Sequence, residues 1–142
     1  MARMDRRVTY FVALLAGVVL AFLATLAMGV LAAIPTPSAL RLDVTAHPIL
    51  ALLVSMTLLV HAPVAILAFV AGWLLFRALG QSSWLLVLIC AAPWVAMNGF
   101  LTTEFPSTDS LTVFSHWFVW PGILAVPVGI WLASMTVAKS AR

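Results

Sequence analysis

Three histidines, one cysteine and four carboxylates are the chain's His, Cys, Asp and Glu side chains. His61 stands out among them. It lies inside an uncharged apolar stretch, 16 residues before Arg77, so roughly 24 Å along a helix from that base. An ionisable side chain within a membrane helix marks a candidate functional site. Pro63, two residues on, has no N–H and frees the Leu59 carbonyl. A neutral imidazole donating to a backbone carbonyl would be a purely structural solution. A proton relay or a ligand site is the functional alternative.

The other polar residues form a loose corner. Asn98 stands near the end of the third apolar stretch, and Thr102, Thr103 and Glu104 follow it. Together with His61 these residues are the candidate polar, ion or ligand site. Asn98 is expected to bond across helices, a contact worth about 0.6 kcal/mol on average in a membrane. His47, His61 and His116 are the candidate metal ligands. A bis-histidine haem needs His61 and His116 at one depth. His116 is 23 residues from Lys139, roughly 35 Å out against about 24 Å for His61, which disfavours the pairing. Met56 and Met97 with the histidines would suit a soft copper site, but no Met-x-Met or His-x-His spacing occurs. No cofactor is therefore predicted; haem and copper stay as minor alternatives. Cys90 is alone, which excludes an internal disulfide and favours a buried inert thiol. No phosphate-binding glycine loop, HExxH, CxxC or nucleophile elbow is present, so no enzyme activity is expected.

The elements that must position these residues follow from composition. Of 142 residues, 65% are hydrophobic and 8% charged, against roughly 25% charged in a soluble domain. Such a chain cannot cover a water-facing surface. A helix needs about 20 apolar residues to cross the bilayer core, and four stretches qualify: 8–34, 49–76, 84–101 and 114–138. They are apolar all round, unlike the alternating strands of a membrane barrel. The fold class is thus an all-α integral membrane protein, an antiparallel four-transmembrane-helix bundle with short loops, forming a single domain over 1–142. Arg3, Arg6, Arg7, Arg77, Lys139 and Arg142 fall on one side, and only Arg41 on the other. The positive-inside rule then places both termini in the cytoplasm of a bacterial-type inner membrane. The net charge of +3 reflects this topology and is no signal for nucleic acid. The first stretch, with its basic start, is too long for a signal-peptide core and reads as a retained helix.

Small residues at helical spacing mark where membrane helices meet. The expected seams are Ala13, Gly17, Ala21, Thr25 and Met28; then Thr57, His61, Ala65, Ala68 and Gly72; then Ala92, Ala96, Gly99 and Thr103; then Gly122, Ala125, Gly129, Ala133 and Thr136. Trp94 and Trp131 are expected to face a partner subunit. Pro63, Pro93 and Pro127 are expected helix kinks, freeing the Leu59, Ile89 and Ile123 carbonyls. Pro121 is expected to free that of Trp117 in the same way. Kinks at similar depth would open a cavity or act as hinges. Seams without catalytic groups favour an accessory or structural subunit that contacts the lipid bilayer and packs in a homo-oligomer or with other membrane subunits. A small homo-oligomeric transporter or channel built around His61 is the alternative, and a haem- or metal-binding redox component a further one.

Overall fold

The computed structural model describes residues 5–35, 37, 48–103 and 120–140, with side chains at 48–50, 52 and 99–103 left aside. It contains four helices: α1, Arg6–Ala32; α2, made of Pro48–Met56 and Ala62–Leu79 joined by a π-helical turn at Thr57–His61; α3, Trp84–Thr103; and α4, Trp120–Ser140. Three of them, α1, α2 and α4, are long and apolar enough to cross a membrane. In α3 the apolar run with described side chains, Trp84–Asn98, is shorter. This is the architecture of an integral membrane protein. Its outer surface agrees: Phe22 is 63% exposed and Val30 67%. Residues 114–119, expected at the start of the fourth span, lie outside the described residues.

The sequence sets the helix ends locally. Asp5 caps α1, its carboxylate accepting from the Arg7 N–H at 3.2 Å, which satisfies one of the unpaired donors of the first turn. Gly80 ends α2 at φ 63°, a left-handed conformation that glycine adopts without a Cβ penalty. Ser83 starts α3 by accepting from the Leu86 N–H. Pro121 falls in the first described turn of α4. Trp117, whose carbonyl Pro121 was expected to free, lies outside the described residues.

The helices do not pack in chain order. Joined by only Gly80–Ser83, α2 and α3 were the natural antiparallel neighbours, yet they make little contact along their lengths. The closest pairs are α2 with α4 and α1 with α3, followed by α3 with α4 and α1 with α2. The helices therefore stand in the order α1, α3, α4, α2 around the bundle. Residue contacts show the direction of the two tight pairs. Along α1 and α3, Thr9 bonds Gln81, Gly17 meets Cys90 and Thr25 meets Met97. Along α2 and α4, His61 meets Gly122, Ala65 and Ala68 meet Gly129, and Gly72 meets Ala133. Both series run upward together, so the tight pairs are parallel. The antiparallel contacts belong to the looser pairs.

Glycine explains why the parallel pairs win. A β-carbon on Gly17 would overlap the Cys90 carbonyl, and one on Gly129 would overlap the Ala65 carbonyl. Without side chains there, the backbones come into contact, which is how helices associate in a solvent as apolar as themselves. The expected seams of α1, α2 and α4 hold at most of their positions: Ala13, Gly17, Ala21, Ala68, Gly72, Ala125, Gly129 and Ala133 are buried, while Thr136 is exposed. The α3 seam is corrected. Ala92 and Ala96 are exposed, and the inward face is Leu86, Val87, Cys90, Ala91 and Trp94. The close approach to α1 needs only one bare helix, and Gly17 supplies it. The α3 side can then carry large side chains.

Candidate functional site

The polar groups of the described bundle are mostly used up internally. Thr25 donates to the Ala21 carbonyl at 2.9 Å and lies 3.9 Å from the Met97 sulfur. Thr9 is fully buried; its hydroxyl donates to the Asp5 carbonyl at 3.2 Å and accepts from Gln81 Nε2 at 3.1 Å. That second bond ties the start of α1 to the α2–α3 loop. Among the described residues, Asn98 bonds within its own helix and not across to another. Its Nδ2 donates to the Trp94 carbonyl one turn earlier in α3, at 3.0 Å, because an amide on a short stem reaches its own helix most easily.

Two of the three proline defects are resolved in ways that matter for the site. Pro127 leaves the Ile123 carbonyl without its helical donor, and Trp94 Nε1 donates to that carbonyl at 3.0 Å. Trp94 is fully buried, so its expected role as a partner-facing residue is corrected. A buried indole N–H needs an acceptor, and a proline-freed carbonyl inside a helix is a rare unpaired one. The bond joins α3 to α4 and turns a kink into a fixed joint. Trp131, by contrast, does face outward, 51% exposed.

Pro63 is accommodated differently. Just before it the helix widens, and the Ala62 N–H bonds the Thr57 carbonyl five residues back. Turns of this type often occur at functional positions. His61 is the last residue of the turn. Its ring lies on α4 at Gly122, where a β-carbon would stand 3.2 Å from Cε1. Gly122 thus provides the space for the imidazole. His61 Nδ1 is buried and has no hydrogen-bond partner among the described residues. The Leu59 carbonyl does not serve as its acceptor.

The expected polar corner is only partly described. His61 sits against α4, and Asn98 is bonded within α3. Thr102 and Thr103 close the last turn of α3, with their side chains left aside. Glu104, His47 and His116 lie outside the described residues. Among those described, no three His, Cys, Asp or Glu side chains gather as a metal site. Cys90 is free and buried. At the other end of the bundle Arg77 stacks over Trp73, 5.0 Å from the ring centre, a cation–π contact between two residues of one helix face.

Sequence reasoning named Ile123 as a freed carbonyl but missed its donor. The available signal was a tryptophan in the middle of an apolar helix, which needs an acceptor wherever it is buried. Compared with protein-family models, with curated proteins and with solved structures, the chain matches none of them.

Proposed function

We propose that the chain is a non-catalytic accessory or structural membrane subunit that associates with copies of itself or with larger membrane subunits. One observation carries the reading. The small residues Ala92 and Ala96, one turn apart on α3, face out of the bundle, leaving a shallow strip on which another helix backbone can seat. The internal use of Thr9, Thr25, Trp94 and Asn98 in packing and bonding supports it. Native mass measurement after gentle extraction tests it, combined with cysteine cross-linking at position 92. A stable lone monomer that brings no partner and forms no cross-link would overturn it. The basic end, with Arg6, Arg7, Arg77 and Lys139, is inferred to face the cytoplasm; labelling of single cysteines on either side of sealed vesicles checks that orientation.

A second reading is favoured by His61. A buried imidazole nitrogen with no partner among the described residues, held beside a widened helical turn, suits a transporter or channel site for a proton or small polar solute. Flux into proteoliposomes tests it: His61→Ala must change transport of some ion or solute. If the native protein moves none of those tried, this reading fails while the packing reading stands.

A further inference from the structure

We propose that the turn at Thr57–His61 is a register hinge. The outer segment of α2, Pro48–Met56, rotates about it between a π-widened and a plain α-helical register, while the inner segment, Ala62–Leu79, stays fixed to α4.

Four observations converge on this. First, the turn holds one more residue than an α-helix would, with the Ala62 N–H bonded to the Thr57 carbonyl. Returning that residue to α-helical register turns everything before it by about 100°. Second, Pro63 has no N–H, so at that position neither register gains or loses a backbone bond. The usual penalty that holds a helix in one register is missing where the two registers diverge. Third, the two segments are held very differently. Gly72 lies against Ala133 and Ile130, and Ala65 and Ala68 against Gly129, so the inner segment cannot turn without breaking backbone contact. Among the described elements the outer segment has little contact beyond the turn it joins, with Ala51 buried and Met56 exposed. Fourth, a cavity of about 30 Å³ lies between the outer segment and the end of α1, lined by Leu31, Ile34, Ser55, Met56 and Leu59. That is the room of about one water molecule, so the outer segment is not close-packed against the end of α1.

His61 closes the turn against the fixed segment. In the present register its ring lies on Gly122, with Nδ1 unpartnered among the described residues. Ala62 follows His61 directly and stays fixed, so the ring keeps close to Gly122 while the rotation accumulates over the residues before it. The hinge does not depend on transport; it would equally let a packing subunit adapt its outer half to a partner.

Spin labels at Met56→Cys and Leu124→Cys, with Cys90→Ser, test the hinge by pulsed distance measurement in lipid nanodiscs. The expected result is two distance populations. They should differ by up to roughly 8 Å, the chord of a 100° turn on a helix surface about 5 Å in radius. Pro63→Ala, which restores the N–H, should reduce them to one. A single narrow population with Pro63 in place overturns the proposal, and so do two populations that persist in Pro63→Ala. The first comparison needs no helix variant beyond the labels, so poor folding of Pro63→Ala does not shield the proposal.

Discussion

A single side chain, Trp94, decides whether the defect in α4 is a weakness or a joint. Its indole is the described donor to a carbonyl that Pro127 has freed, so removing it leaves a buried acceptor unpaired. Trp94→Phe should therefore lower stability by about 1–2 kcal/mol, read by unfolding in mixed micelles. Pro127→Ala returns a helical N–H to Ile123, so the same Trp94→Phe change should cost less than half as much in that background. Equal costs in both backgrounds would mean the hydrogen bond contributes little beyond packing. Cys90, 1% exposed, should resist maleimide in the folded protein and react once sodium dodecyl sulfate unfolds it. Fast labelling in the native state would contradict the tight α1–α3 contact.

At the scale of helices, bare backbone outranks the chain's connections. Gly17 and Gly129 each face a carbonyl of the neighbouring helix, whereas Gly29 has nothing within 4 Å. Gly17→Ala and Gly129→Ala should each destabilise by about 1–3 kcal/mol, since the obstacle is backbone and cannot swing aside. Gly29→Ala should stay within about 0.5 kcal/mol. The contrast between the three is the check, measured in one unfolding assay. Helix positions, the basic ends and the inward faces of α1, α2 and α4 were legible because each depends on local spacing along one helix. The α3 face was not. Its small residues mark where a backbone can approach, but only the position of Gly17 on another helix shows which side of α3 is already occupied.

For the whole molecule, the parallel pairing is the property most open to a direct test. With Cys90→Ser, the pair Thr25→Cys and Met97→Cys should be bridged within one chain by a short bis-methanethiosulfonate cross-linker, because the Thr25 hydroxyl and Met97 sulfur lie 3.9 Å apart. Failure to link, with efficient linking between α2 and α3 instead, would restore the loop-dictated neighbours. The outward Ala92–Ala96 strip belongs to this scale too. Ala92→Phe should reduce higher-order species in native mass measurement while leaving helix content unchanged. Oligomers that persist unaltered would move the contact elsewhere.

The sequence alone determined that this is a helical membrane protein, with Arg6, Arg7, Arg77 and Lys139 near helix ends and His61 inside an uncharged apolar stretch. Composition and periodicity suffice for that, because the cost of charge and unpaired backbone in hydrocarbon acts on every segment separately. Only the tertiary structure decided which helices touch, that Trp94 repairs the Pro127 defect, and that Pro63 is met by a widened turn. Those outcomes depend on pairs of distant residues, and a membrane supplies no burial gradient within the bundle to reveal such pairs in advance.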